Sequence, residues 1–192
     1  MSRQVEIRPL RPERLLDYLH FFDHDAFVDN PGWAACYCTF YHAPHHLKPW
    51  EERTAPENRL MAEELIVVGR LQGHLAYLGD RVVGWCHAAP KVEIPNLERS
   101  EPLRSDDCAQ VGAIVCFVVV QSERRRGIAG ALLQAACDGF RDLGLSAAEA
   151  YPRARGMADA ANYHGPLQMY LKQGFEPYRR YEDFWIVRKA LL

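Results

Sequence analysis

Three consecutive arginines and a glycine-rich segment stand at the start of a predicted helix, and these residue types suit the binding of an anion. The first N–H groups of a helix have no partner within the helix, and the helix dipole places partial positive charge there. Small residues let a phosphate approach those amides, while arginines donate paired hydrogen bonds to it. The segment predicts a pyrophosphate cradle formed by Arg124, Arg125, Arg126, Gly127, Ile128, Ala129 and Gly130.

The neighbouring elements place this cradle between a strand and a helix. An apolar run from Val111 to Val120 precedes the arginines and is typical of a buried strand. After the arginines, apolar residues such as Ile128 and Phe140 recur at three- and four-residue steps, which is the spacing of one helix face. Gly144 is suited to end that helix. The candidate ligand therefore lies at the end of a strand.

On these residues the sequence resembles the GNAT superfamily of acyl-CoA-dependent N-acyltransferases. The family signature is Gln or Arg, two further residues, Gly, one residue, and then Gly or Ala, and the segment Arg124–Ala129 matches it. A second segment, Tyr163–Phe175, is similar to the late helix of the family, with its tyrosine and closing Gly-Phe. The resemblance is clearest from Val111 to Leu192 and extends less specifically back to His74.

The resemblance implies an α/β (α+β) fold with a mixed, mostly antiparallel central sheet flanked by helices on both faces. It implies an N-acetyltransferase that transfers the acetyl group of acetyl-CoA directly to a primary amine of a small molecule or peptide, without a metal. Residues 1–192 would form a single domain. Two alternatives stay open: a non-catalytic acyl-CoA sensor of the same fold, and an unrelated nucleotide-binding domain. The second lacks a Walker-type Gly-Lys-Ser or Gly-Lys-Thr.

Strand residues and one asparagine complete the expected cofactor site. The family holds the cofactor between two splayed strands by main-chain hydrogen bonds, and the matching residues here are Phe117, Val118 and Val119. On residue types alone, these three suit a buried core strand equally well. The family often has Asn where Tyr163 stands, so the resemblance points to the adjacent Asn162 as the pantetheine contact.

Two residues are candidates for proton transfer. An amine must be neutral to attack a thioester, yet a lysine-like amine has a pKa of about 10.4, so a base or a desolvating pocket should assist. We predict Glu149 as that base, because it lies on a strand expected next to the cofactor strand, although a salt-bridged glutamate fits the same pattern. The resemblance implies that Tyr170 interacts with the departing CoA thiolate.

An aromatic segment, Gly32–His46, also contains cysteines and histidines. In the family the region after the first helix overhangs the acceptor site, so the resemblance implies an aromatic pocket for a cation or flat ring. Aromatic residues closing the core are the alternative. Cys36 and Cys38 are closer in sequence than structural zinc ligands usually are, which disfavours a metal. The candidate substrate-binding residues are Trp33, Tyr37, Tyr41, His42 and Trp85.

Composition limits the remaining possibilities. The 192 residues are 48% hydrophobic and 25% charged with a formal net charge of -2, which suits a soluble enzyme and argues against a nucleic-acid partner. The charged N-terminus does not resemble a signal peptide, and no apolar run reaches the length of a membrane span. We expect a cytoplasmic protein with reduced cysteines and no membrane partner. A homodimer through the final strands is a further hypothesis.

The remaining sequence predicts the outer elements of the fold. A helix is expected after Pro12, and a second after Pro56 with Leu60 on its buried face. Strands are predicted at Val5–Leu10, His74–Leu78, Val82–Ala89, Ala147–Tyr151, Phe175–Tyr181 and Phe184–Val187.

Cys116 adjoins the cofactor strand and would suggest an acyl-enzyme, but no His and acid partner for it is recognisable in the sequence.

Overall fold

A seven-stranded sheet organises the chain. The computed structural model describes residues 4–154 and 162–191. Every pair of neighbouring strands is antiparallel except β4 and β5, which are parallel, so the predicted mixed and mostly antiparallel sheet is confirmed. The spatial order is β1-β2-β3-β4-β5-β7-β6. In chain order the strands are β1 (Val5–Pro9), β2 (Gly73–Leu78), β3 (Arg81–Pro90), β4 (Val111–Val119), β5 (Ala147–Ala150), β6 (Glu176–Arg180) and β7 (Trp185–Ala190).

Helices cover both faces of this sheet. On β3, Gly84 lies under Ile128 of the long helix, whereas the adjacent Trp85 meets the ring of Tyr18 edge-on at 5.1 Å. Neighbouring residues of a strand point to opposite faces, so these two helices lie on opposite sides. The helices are α1 (Leu15–His20), α2 (Ala55–Val67), α3 (Pro95–Arg99), α4 (Ile128–Asp142) and α5 (Leu167–Lys172).

Helix α2 begins as its sequence predicts but buries a different face. Thr54 and Glu57 form a capping box, in which each side chain accepts a hydrogen bond from the main chain of the other. The buried face contains Ala62 and Ile66, one turn apart, while Leu60 is 56% exposed. The expected burial of Leu60 was wrong, because Asn58, Ala62 and Ile66, at the four-residue spacing, form the face that packs inward and Leu60 lies off that face.

Strands β4 and β5 pair over only half of β4. Their register runs from Val111 opposite Ala147 to Ile114 opposite Ala150, where β5 ends. The rest of β4 keeps β3 on one side, and no strand of the described residues pairs with its other side, which we call the open edge of β4. This is the splay between neighbouring strands that the cofactor prediction requires.

The buried hydrophobic residues form one connected core, which contains most of β3, β4 and the inner face of α4. Gly112 of β4 allows close packing there, because a Cβ at this position would lie 2.3 Å from the Phe140 ring of α4. Across the described ranges, no helix has both the length and the apolar character needed to cross a membrane.

Candidate active site

The start of α4 presents backbone N–H groups that have no acceptor. Gly127 precedes the helix with a φ of 84°, a left-handed conformation that glycine adopts without strain. The N–H of Ala131 bonds to the Gly127 carbonyl at 3.0 Å, and among the described residues the preceding amides of Ile128, Ala129 and Gly130 have no partner. A Cβ at Gly127 would meet no atom within 4 Å. The turn is therefore an open anion cradle.

Arg124 is held within the protein instead of pointing to the cradle. Its Nε donates to the Val119 carbonyl at 3.0 Å. Its two terminal nitrogens form a bidentate ion pair with the Asp29 carboxylate at 2.5 and 2.9 Å. This hydrogen bonding holds the pKa of Asp29 below its usual value. Arg124 therefore ties the end of β4 to the segment that contains Asp29.

The other two arginines lie at the exposed rim of the turn. Arg125 has a positive φ of 61° and contributes to the wall of the cavity at the cradle. Arg126 pairs with Glu123 at 2.9 Å, and its side chain is 66% exposed. Because Glu123 lines the same cavity, its pairing with Arg126 offsets negative charge that would oppose an anionic ligand.

A cavity of about 580 Å³ joins the cradle to the open edge of β4. Phe117 and Val119 line it, together with Asn162 from the loop before α5. The Phe117 N–H points to this side, where it donates to the Tyr163 carbonyl at 2.6 Å. Residues two apart on a strand share a direction, so the main chain of Val119 faces the cavity, whereas that of Val118 faces β3. Most of the predicted cofactor residues are thus brought together.

Helix α5 closes the cradle from the opposite side, a contact that the sequence reasoning missed. The Gln173 side chain donates to the Gly130 carbonyl at 2.8 Å, and a Cβ at Gly130 would lie 3.2 Å from its amide nitrogen. Met169 and Lys172 line the same cavity. Only glycine at position 130 leaves room for this approach without a shift of Gln173.

A second cavity, of about 360 Å³, lies on the other side of the same β4 residues. Phe117, Val119 and Arg124 line both cavities. Trp33 and Tyr41 belong to its wall, as predicted. Arg53 also lines it, and no Asp or Glu of the described chain does. The remaining aromatic side chains of this acceptor cavity are Phe27, Phe40, Trp50 and Tyr163.

Three predicted substrate-binding residues line neither cavity. The Tyr37 hydroxyl donates to Asp23 at 2.6 Å, and its ring packs in the core. Trp85 is fully buried against Tyr18. His42 is also buried and faces another histidine. Their aromatic character serves packing, which is the alternative that the sequence left open.

Glu149 lies in a buried ion cluster outside both cavities. It is 1% exposed, and its Oε1 accepts from the Lys91 ammonium at 2.8 Å and from the Tyr151 hydroxyl at 2.7 Å. Its Oε2 accepts from Arg188 at 2.6 Å. Since buried donors already occupy both oxygens, the geometry fits the salt-bridged alternative better than the predicted base.

Tyr170 is fully buried beneath the loop that lines the cofactor cavity. Its hydroxyl donates to the His164 carbonyl at 2.5 Å, and a Cβ at Gly165 would lie 3.2 Å from that hydroxyl. Its ring lies 6.4 Å from that of Phe117. Burial raises the pKa of Tyr170 well above its usual value, so the hydroxyl keeps its proton at neutral pH.

No group of three or more His, Cys, Asp or Glu side chains is placed to hold a metal ion in residues 4–154 and 162–191. Arginines and aromatic rings line both cavities, thiols line the cavity of about 360 Å³, and Glu123 and Lys172 line the cavity of about 580 Å³.

Comparison with known proteins identifies the class that this fold and site define. Residues 33–175 match the family model of the Acetyltransferase (GNAT) family, so the chain belongs to that family of acetyltransferases. None of the curated proteins matches the sequence significantly.

Solved structures of GNAT proteins share the fold over nearly the whole chain. PaiA N-acetyltransferase from Thermoplasma acidophilum, in complex with coenzyme A, is 15% identical with a TM-score of 0.57, and the match covers 97% of this chain and 99% of that chain. YncA from Salmonella typhimurium, with acetyl-CoA, is 15% identical with a TM-score of 0.54 over 97% and 94%. An acetyltransferase from Thermus thermophilus is 16% identical with a TM-score of 0.58 over 100% of both chains.

Proposed function

We propose that this protein is an N-acetyltransferase that transfers the acetyl group of acetyl-CoA directly to a primary amine. The observation that carries the proposal is the wall shared by the two cavities at Phe117 and Val119. A thioester bound along the open edge of β4 would have the pyrophosphate cradle on one side and the aromatic cavity on the other.

The cofactor cavity fits acetyl-CoA from its phosphates to its thioester. The amides of Ile128, Ala129 and Gly130 would hold the pyrophosphate, with charge from Arg125 and Arg126 at the rim. The Phe117 carbonyl, the Val119 N–H and the side chain of Asn162 would bind the pantetheine, since the Phe117 N–H and the Val119 carbonyl already have partners. The bound cofactor would supply an activated acetyl group, and the coenzyme A in PaiA and acetyl-CoA in YncA support this choice of ligand.

Two features favour acetyl transfer at the wall that the two cavities share, at Phe117 and Val119. The protonated Tyr170 hydroxyl lies behind the loop at the cavity, where it could hydrogen-bond the departing thiolate after releasing the His164 carbonyl. Removal of the amine from water and the nearby Arg53 guanidinium both disfavour an ammonium ion, so the acceptor cavity itself favours the neutral amine. Desolvation of the amine thus takes the role predicted for Glu149 as the base, because the Glu149 carboxylate is already bonded.

The same charge distribution suggests the class of acceptor. A cavity lined by aromatic rings and Arg53, with no carboxylate from the described residues, suits a small flat or apolar amine that carries an anionic group. The volume of about 360 Å³ is that of a small-molecule site. We therefore place a small aromatic amino acid or a related amine carboxylate ahead of a peptide.

Calorimetric titration with acetyl-CoA and an acceptor screen monitored by CoA release test this proposal. The screen should contain an aromatic amino acid and its decarboxylated amine as a matched pair, and we expect faster release with the amino acid. Arg53→Met should reverse that preference without changing acetyl-CoA affinity. Absence of acetyl-CoA binding would refute the proposal, while binding with no amine-dependent CoA release would favour the acyl-CoA sensor.

Three further predictions accompany this function. We propose that residues 1–192 act as one domain, that the protein is cytoplasmic, and that it can form a homodimer through the final strands. The outer strand β6 is exposed along its length, which supports the last of these. Light scattering of the purified chain would give its molar mass.

A further inference from the structure

A cysteine and two histidines form a chain at the wall of the acceptor cavity. Cys38 Sγ lies 3.4 Å from His87 Nδ1, and His87 Nε2 lies 3.3 Å from His42 Nε2. All three side chains are buried, and Cys38 lines the cavity. A nucleophile within reach of a base, with the base oriented by a third group, is the arrangement of an activated thiol.

The backbone places this thiol next to the proposed thioester position. Cys38 has a positive φ of 52°, which is uncommon for a residue other than glycine. His87 on β3 is paired with Cys116 on β4, and Cys116 immediately precedes Phe117 in the wall shared by the two cavities. Cys38 therefore faces the point at which the cofactor cavity meets the acceptor cavity.

The surroundings favour a thiolate at this position. Burial acts to raise the pKa of Cys38, but hydrogen bonding with Cys116 and the interactions with His87 outweigh it and hold the pKa well below its usual value. Burial, followed by the charge of His87, lowers the pKa of His42 to about 3, so His42 is neutral and can accept a hydrogen bond from His87.

A second thiol in the same cavity provides a contrast. Cys36 also lines the acceptor cavity, but burial and then the charge of Cys38 raise its pKa to about 12. Cys36 is therefore a neutral thiol at pH values where Cys38 is ionised. Only the thiolate form attacks a thioester efficiently, so the two cysteines should differ in reactivity.

We propose that Cys38 is a self-acetylation site, which takes the acetyl group from acetyl-CoA when no amine occupies the acceptor cavity. The inference rests on the acetyl-CoA binding proposed above. A bond forms between Cys38 Sγ and the acetyl carbonyl carbon, and the bond from that carbon to the CoA sulfur breaks. The CoA thiolate leaves and takes the proton that Cys38 Sγ and His87 Nδ1 share, so the products are S-acetyl Cys38 and the free thiol of CoA.

This exchange makes the protein responsive to its own cofactor. One thioester replaces another, so the reaction is reversible and its equilibrium constant is modest. The acetylated fraction should therefore follow the ratio of acetyl-CoA to free CoA. Because the acetyl group on Cys38 occupies space in the acceptor cavity, acetylation should slow the entry of an amine until CoA removes it.

The test is mass spectrometry of the full-length protein incubated with acetyl-CoA alone and then quenched in acid. We expect one acetyl group, released by hydroxylamine and located on Cys38 by peptide mapping. The modified fraction should rise with the ratio of acetyl-CoA to CoA and disappear in excess CoA. Cys38→Ser should abolish the adduct, Cys36→Ala should keep it, and His87→Gln should slow its formation roughly 100-fold.

The outcomes separate this inference from the proposed function. Calorimetric binding of acetyl-CoA with Cys38 left unmodified would overturn self-acetylation and leave the proposed function intact. Preferential acetylation of Cys36 or Cys116 would also overturn it. No binding of acetyl-CoA would overturn both. The decisive measurement uses the unaltered protein, so a failure of His87→Gln to fold does not affect it.

Discussion

Replacing Ala129 with aspartate should weaken acetyl-CoA binding without destabilising the protein. Ala129 is the second residue of α4, and it is half-buried in the wall of the cradle. A carboxylate at the N-terminus of a helix interacts favourably with the helix dipole by about 0.3–1 kcal/mol. This gain offsets the lower helix propensity of aspartate, about 0.7 kcal/mol at most. The same charge would lie beside the amides that we assign to the pyrophosphate.

The expected loss of affinity follows from that placement. Two unit charges about 5 Å apart repel by about 3 kcal/mol at an effective dielectric constant of about 20. Each 1.4 kcal/mol is a factor of about ten in Kd, so the repulsion corresponds to a loss of about 100-fold. Salt should reduce this loss, because the exposed rim of the cradle is open to screening ions.

Calorimetry and urea unfolding of two variants provide the assay. Ala129→Asn has the shape of the aspartate without its charge, so it isolates the electrostatic effect from crowding of the cradle. We expect the Asn variant to bind acetyl-CoA much more tightly than the Asp variant, with similar unfolding midpoints for both. Equal Kd values for Ala129→Asp and Ala129→Asn would refute the assignment of the helix N-terminus as the phosphate site.

Four further outcomes are expected. Tyr170→Phe should lower kcat by roughly 100-fold and leave the acetyl-CoA Kd unchanged, as measured by CoA release and calorimetry; an unchanged kcat would count against a role at the thiolate. Trp33→Ala should raise the acceptor KM, whereas Tyr37→Phe, which alters no cavity wall, should not; equal effects would contradict the assigned pocket. Glu149→Gln should lower the free energy of unfolding by about 3–5 kcal/mol because it leaves the buried Lys91 ammonium without a carboxylate, and urea unfolding measures this. Finally, the pKa of His42 is held at about 3 in the folded protein against 6.5 in the unfolded chain, so stability present above pH 6.5 is lost as the pH falls toward 3. His42→Gln should make that decline shallower in unfolding curves measured across this range.

The geometry of the cradle could be predicted from the sequence because the cradle is local. Gly127 and the amides of Ile128, Ala129 and Gly130 are consecutive, so their geometry depends on where α4 begins and little else. The splay of β4 from β5 was also expected, through the resemblance. The sequence did not reveal which group each arginine side chain binds. Arg124 pairs with the carboxylate of Asp29, which lies 95 residues earlier in the chain.

The lining of the acceptor cavity was harder to predict from the sequence because its residues come from separate segments of the chain. Within the aromatic segment, Trp33 and Tyr41 reach the cavity while Tyr37, between them, turns into the core at a positive φ of 43°. Two consecutive left-handed residues, Tyr37 and Cys38, change which side chains of this segment face inward, and residue types do not reveal it. The partners Cys38 and His87 are 49 residues apart, one in the turn segment before α2 and the other on β3, so they meet only in the folded chain.

The position of Arg124 explains why the two cavities form one site. Its guanidinium bonds to the carbonyl of Val119 at the end of β4 and to Asp29, whose neighbour Asn30 lines the acceptor cavity. Arg124 lines both cavities, so a ligand in either one would lie beside the side chain that holds the acceptor segment. Arg124 matches the first position of the family signature, and here it contributes through this connection as well as through its charge.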